Sequence, residues 1–165
     1  MKCIKIQWLS VAVVCCIFIL SACTKDSIGT GTPSLENTTI WAGPTITFTK
    51  ANGADPTQPA NQDQITDLVW ITRGNTEGGQ IFNAVSETNS NKDNSPAGTL
   101  WAEGTTADLT NLTFGNFRAT VDKPKNAVGK DLVLLLVEEN IAIDIKFTSW
   151  SQNRQGGFAY ERSSN

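Results

Sequence analysis

The chain has 165 residues, 13 Lys and Arg against 16 Asp and Glu, a net charge of −3 and no histidine. The missing histidine excludes His-dependent acid–base catalysis, a Ser-His-Asp arrangement and His-ligated transition metals. The acidic balance, with no basic cluster along the sequence, argues against a nucleic-acid partner, whose phosphates must be met by Lys and Arg.

Residues 1–7 carry Lys2 and Lys5 and no acid, and residues 8–20 are apolar apart from Ser10. A basic stretch before an apolar run of this length reads as a signal sequence, too short for a spanning helix. The run ends in Leu20-Ser21-Ala22-Cys23. That ending resembles a bacterial lipobox, where a signal peptidase cuts before a cysteine already diacylglycerated on its sulfur. An ordinary secretory signal or an uncleaved anchor would not need a cysteine directly after the small residues. The resemblance implies that residues 1–22 are removed and that Cys23 carries the lipid, making the membrane a partner. Two or more acyl chains anchor a protein stably where one does not.

The processed chain would have 165 − 22 = 143 residues, and losing Lys2 and Lys5 takes its charge from −3 to −5. That length suits one domain. Cys3, Cys15 and Cys16 lie in the leader and the fourth cysteine is Cys23. The remainder therefore has no disulfide and depends on its core, although an exported protein could use disulfides. A zinc site there would need carboxylates alone, an unfavourable set.

Residues 23–37 read as the lipidated cysteine and a flexible tether of Thr, Ser, Gly and Pro without apolar period. The fourteen residues after Cys23 would reach about 50 Å stretched and roughly 20 Å as a coil. Thr24 stands where an acidic residue often retains lipoproteins in the inner membrane, so the outer membrane of the cell envelope is the expected location. Lys25-Asp26 weakly resembles surface-export signals, and Asp26-Ser27-Ile28 an O-glycosylation pattern, against the simpler reading of a solvated linker.

From residue 38 the punctuation is that of an all-β domain extending to residue 165. Residues 38–41 are a short extended piece stopped by Gly43-Pro44, and residues 45–50 alternate, with Ile46 and Phe48 on one face and threonines on the other. A polar loop over residues 51–64 leads to a strand over residues 65–73, a turn at 74–79 and a returning strand at 81–85. Residues 86–98 are another polar loop, and residues 99–102 put Trp101 on a short strand. Residues 105–111 suit one helical turn around Leu109, and residues 112–121 read as extended.

The clearest pattern is C-terminal. Residues 132–137 are a continuous apolar run, as in a strand buried on both faces, and Glu138-Glu139-Asn140 forms a turn. Ile141, Ile143, Ile145 and Phe147 then point one way, while Ala142, Asp144, Lys146 and Thr148 point the other. Burying four such side chains contributes about 6–12 kcal/mol before chain entropy is counted. Gly156-Gly157 turns the chain into a last strand with Phe158 and Tyr160 inward. About eight short strands without an amphipathic helix predict a single antiparallel β-sandwich, jelly-roll or immunoglobulin-like.

Several pieces stand out together: Trp41-Ala-Gly-Pro-Thr-Ile-Thr-Phe-Thr-Lys50, Ala54-Asp-Pro, Gln62-Asp-Gln-Ile-Thr-Asp67 with Val69-Trp-Ile-Thr-Arg73, Ser95-Pro-Ala-Gly-Thr-Leu-Trp101, and Asp144-Ile-Lys-Phe-Thr-Ser-Trp150 with Gly156-Gly-Phe158. They resemble an uncharacterised family of exported bacterial domains found on lipoproteins and on proteins with C-terminal surface-sorting signals. The resemblance covers nearly all of residues 41–162 and implies an extracytoplasmic β-domain. It supplies no catalytic residues.

Three chemistries are weighed on the residues themselves. Asp55, Asp63 and Asp67, with neighbouring Asn and Gln, offer oxygen ligands for calcium, although no EF-hand spacing is present. The plainer reading is turn formers and solvated side chains. Trp101, beside a polar loop, and Trp150, out of phase with the buried face of residues 141–147, are the expected glycan-stacking tryptophans. Packing between sheets is the commoner use of Trp. A glycosidase needs two facing carboxylates; Glu77, Glu87 and Glu103 lie near turns, and nothing pairs them, while Glu138 and Glu139 suit a hairpin tip. The sequence therefore predicts a lipid-anchored envelope protein with a non-catalytic domain binding glycan or an envelope protein, with no cofactor unless calcium. The alternatives are a structural envelope lipoprotein without a small-molecule ligand and, more weakly, a small glycan-active enzyme.

Overall fold

The computed structural model describes residues 35–76 and 79–165. The leader, Cys23, most of the tether and Glu77 lie outside the described residues. Among these residues run β1 (Thr39–Trp41), β2 (Thr45–Lys50), β3 (Asp63–Gln64), β4 (Trp70–Arg73), β5 (Ile81–Asn83), β6 (Thr99–Glu103), α1 (Phe117–Val121), β7 (Asp131–Leu136), β8 (Ile141–Trp150) and β9 (Phe158–Ser163). Short 3-10 turns at Pro59–Asn61, Thr106–Asn111 and Pro124–Ala127 complete the elements.

The strands form a six-stranded sheet in the order β2-β9-β8-β7-β6 and a three-stranded sheet β3-β4-β5, packed as an all-β sandwich. Every pairing is antiparallel except β1 on β8. β1 lies beside Ile141, Ala142 and Ile143, whereas β9 pairs with β8 from Ile145 onward. The chain then steps over the end of β9, where Gly43 N donates to Ser164 O at 2.9 Å, and continues as β2 on the far side of β9. Gly43 is required at this crossing because a Cβ would stand 2.8 Å from the Ser164 carbonyl oxygen.

β7 justifies its unbroken apolar run. Leu132, Leu134 and Leu136 face the small sheet with Ile71 and Ile81, while Val133 and Leu135 pack on the opposite face with Leu109 and Ala142. The 3-10 turn around Leu109, expected from the sequence, thus covers the outer face of the large sheet. Leu35 packs there too, so the folded part takes in the end of the expected tether.

Two expected elements differ. Residues 65–69 form a tight turn rather than the start of a strand: Ile65 N donates to Val69 O, and Thr66 Oγ1 accepts from Leu68 N and Val69 N. A threonine hydroxyl that captures nearby amides competes with ladder pairing, and only Trp70–Arg73 extend. Residues 112–121 do not run extended throughout. Asn116 caps α1 by accepting from Ala119 N at 2.8 Å, and Phe117 and Val121, one turn apart, are the buried residues of the helix.

Candidate functional site

Trp101 is fully buried, with its Nε1 donating to Thr99 Oγ1 at 2.9 Å and Phe117 meeting it edge-on at 4.9 Å. This corrects its assignment as a glycan-stacking residue, because β6 points it into the core and the adjoining polar loop does not uncover it. Trp150 is half-buried at the end of β8. Its expected outward phase is also corrected: Phe147 pairs with Tyr160 and Ser149 with Ala159, leaving Thr148 as an extra residue. The bulge resets the alternation and returns the Trp150 ring to the side of Phe147, Phe117 and Phe158.

Arg73, at the end of β4, places its guanidinium carbon 4.0 Å over the Trp150 ring. It is only 2 % exposed. Its Nε donates to Gly79 O at 3.0 Å and its Nη1 to Ser151 O at 3.0 Å and Gly157 O at 2.9 Å. Burial pushes the Arg73 guanidinium down to about 10, which leaves it cationic at neutral pH. Three carbonyls and an indole face hold this charge in place of a carboxylate among the described residues, an arrangement in which cation–π attraction is strengthened by desolvation. Since Arg73 occupies one face of Trp150, the ring does not offer an open platform on that side.

Around this stack lies a concavity of about 250 Å³ lined by Arg73, Arg118, Lys123, Lys125, Trp150 and Arg154 among others, with no acidic residue in its lining. Three separate segments supply the cations. Phe117 is driven into the core, and Arg118, the next residue around the helix, is left at the rim. Lys123 and Lys125 flank Pro124 at the start of the next 3-10 turn. Arg154 sits in the β8–β9 turn, closed by Gln155 N donating to Gln152 O, with φ of 54° at Asn153 and 61° at Arg154. Positive φ at both central residues suits hairpin twist, and at an arginine it costs about 1–2 kcal/mol. Among the described residues none of Arg118, Lys123, Lys125 or Arg154 forms a salt bridge. Asp122, adjacent in sequence, interacts with Asn126 Nδ2 at 3.4 Å.

Lys50 lies on the same end of the sheet, 1 % exposed, with Nζ donating to Asn75 Oδ1 at 2.8 Å and Gly156 O at 3.3 Å. Burial, and then repulsion from Arg73, lowers its pKa. Gly156 and Gly157 allow this close approach. A Cβ at Gly157 would overlap Asn52, and Gly156 has φ of +70° and lies against Asn75.

A larger groove of about 390 Å³ runs beside Asp131, Asp144 and Lys146. Most of its charges are paired: Lys146 pairs with Asp131 at 2.8 Å, Asp144 accepts from Thr106 N and Oγ1, each at 2.7 Å, and Arg162 pairs with Asp63. It offers less to a ligand than the basic concavity.

The three aspartates expected to bind calcium are not assembled, and among the described residues no group of three His, Cys, Asp or Glu could hold a metal. Asp63 is buried and accepts from Tyr160 Oη at 2.6 Å, Arg162 Nε at 2.7 Å and Arg162 Nη2 at 2.9 Å. These bonds join the small sheet to the large one. Burial and the neighbouring Asp63 raise the Tyr160 pKa well above its usual value. Burial alone would lower the Arg162 guanidinium, and the Asp63 bonds outweigh it. Asp55 is an exposed turn former that accepts from Thr57 N at 2.9 Å, a bond that lowers its pKa. Asp67 is exposed. Asp63 is thus committed to Tyr160 and Arg162, while Asp55 serves its own turn.

The glutamates weighed for catalysis also have separate duties. Glu87 accepts from Asn83 N and Ala97 N, each at 2.8 Å, and from Ser95 Oγ, pinning the loop after β5. Glu103 pairs with Lys130. Sequence reasoning missed the basic concavity because Arg73, the cations of residues 118–125 and Arg154 are far apart in the chain. The one local signal was Lys123-Pro124-Lys125 five residues after Arg118 in an otherwise acidic chain. The chain matches no protein-family model, no curated protein and no solved structure.

Proposed function

We propose that the chain is a lipid-anchored protein of the cell envelope, on the outer membrane, whose β-sandwich is a non-catalytic binding domain for a glycan. The anchor rests on the Leu20-Ser21-Ala22-Cys23 pattern and on the resemblance to exported lipoprotein domains. The binding role rests on one observation: the concavity edged by Trp150 is lined by cationic donors that have no ion-pair partner among the described residues. Among the described residues the lining of the concavity holds no acid, and Glu87 and Glu103 are committed to structural contacts.

Two measurements test this reading. Mass spectrometry of membrane-extracted protein should show a chain beginning at acylated Cys23, and Cys23→Ser should release the protein from the membrane fraction. The detergent-solubilised protein should be retained by at least one polysaccharide in a panel of neutral and acidic envelope glycans. Retention by none of them would overturn the glycan assignment.

A further inference from the structure

We propose that the basic concavity recognises the acid group of an anionic glycan, a uronate carboxylate or a sulfate ester, through Arg118, Lys123, Lys125 and Arg154 over a floor of Arg73 and Trp150. This rests on the glycan reading above and specifies its ligand class.

The charge distribution carries the inference. The whole chain has an excess of acids, yet five cations and no acid line this one concavity. Unpaired like charges repel one another, so their convergence is a cost that an anionic ligand relieves. Charge-assisted hydrogen bonds to carboxylate or sulfate oxygens are about twice as strong as neutral ones. Stacking of a neutral sugar is disfavoured on the ring face that Arg73 already covers at 4.0 Å. Trp150 contributes an apolar wall, and selectivity comes from charge. The supports are stiff. Phe117 anchors α1 against Trp101 and Phe147, Pro124 separates the two lysines, and Arg154 is held in a strained turn. About 250 Å³ falls below the 300–1,000 Å³ usual for drug-sized ligands, which fits one acidic sugar unit of a longer polymer. A surface charge site of this kind is screened by salt.

The test uses the full-length protein in detergent and affinity electrophoresis or biolayer interferometry against dextran, dextran sulfate and polygalacturonate. Dextran and its sulfate share a backbone, so their comparison isolates the anion, while polygalacturonate separates carboxylate from sulfate recognition. The expected result is at least tenfold stronger retention by one or both acidic polymers than by dextran, falling as salt rises from 50 to 500 mM. Lys123→Gln/Lys125→Gln, both exposed positions, should weaken it at least fivefold without changing the melting temperature, and Arg154→Gln should act in the same direction. Binding to dextran as strong as to its sulfate would overturn the anion inference while keeping the glycan reading. Acidic-polymer binding unaffected by the Lys and Arg variants would overturn the assignment to this concavity. No retention by any polymer would overturn both readings. Equal or tighter binding to a single-stranded oligonucleotide or to anionic phospholipid vesicles would overturn the glycan class.

Discussion

Asp63→Ala is the most informative single change, because it removes the acceptor on which two buried donors depend. Asp63 takes three hydrogen bonds, one from Tyr160 Oη and two from the Arg162 guanidinium, at 2.6–2.9 Å. Arg162 is 5 % exposed and Tyr160 fully buried. Without Asp63, a buried guanidinium loses its counter-charge and a buried hydroxyl its acceptor. Removing one member of such a pair costs about 3–5 kcal/mol. At this domain size each kcal/mol shifts the midpoint by roughly 3–5 °C, interpolating between smaller and larger domains. The expected loss is therefore about 10–25 °C, measured by differential scanning calorimetry or far-ultraviolet circular dichroism. Asp63→Ala/Arg162→Met removes both charges and should recover most of that loss, because apolar replacement of a buried pair is often neutral. The coupling energy from the cycle should exceed about 2 kcal/mol. A loss under about 1 kcal/mol for Asp63→Ala, or additive single effects, would refute the reading of Asp63 as the tie between the sheets. Millimolar calcium should leave the wild-type midpoint unchanged; a rise lost in Asp63→Ala would restore the metal reading.

Trp101→Ala should cost about 3–5 kcal/mol, read as a fall in urea midpoint, and any loss of ligand retention should track that unfolding. Glu87→Ala removes a carboxylate that holds Asn83, Ser95 and Ala97 together. It should cost about 2–3 kcal/mol and expose the amides of the loop after β5 to hydrogen exchange. Lys50 has a lowered pKa in the fold, so its burial is a penalty at neutral pH. The penalty disappears as pH rises from the folded pKa to about 10.5, because the unfolded chain then binds more protons. Relative to wild type, Lys50→Met should lack this alkaline gain, seen by comparing urea midpoints between pH 7 and pH 10. A constant difference across that range would refute the assignment.

Legibility followed the range of the determining forces. The β7–β8 hairpin is legible because the apolar run of residues 132–137 and the alternation from Ile141 to Phe147 are set by local period; the core takes in Leu132 to Leu136, while Val137 falls past the strand end and is exposed. Asn140, with φ of 52°, closes that hairpin as expected of asparagine. The same alternation misplaced Trp150, because the extra residue at Thr148 is defined only against the shorter path of β9. Residues 116–121 were misread because Thr120 and Val121 favour strands, whereas the Asn116 cap and the burial of Phe117 decide for a helix. Asp63 looked like a loop ligand because its partners, Tyr160 and Arg162, lie 97 and 99 residues away.

The bulge at Thr148, the Arg73 stack and the basic concavity form one causal chain. Without the extra residue, strict alternation would turn Ser149 inward and Trp150 outward. The bulge brings the indole beneath the rim, where its face receives Arg73. Among the described residues Arg73 is held by carbonyls rather than by a carboxylate, and Ser151 and Gly157 supply two of them from the two sides of the β8–β9 connection. A carboxylate in that position would neutralise the charge that Arg73 places at the concavity. A buried charge tied only to neutral acceptors is poor economy for stability. Lys50, also held by neutral acceptors nearby, repeats the pattern. Arg73 and Lys50 are thus two buried cations held by neutral acceptors, and Arg73 adjoins the concavity that Arg118, Lys123, Lys125 and Arg154 line.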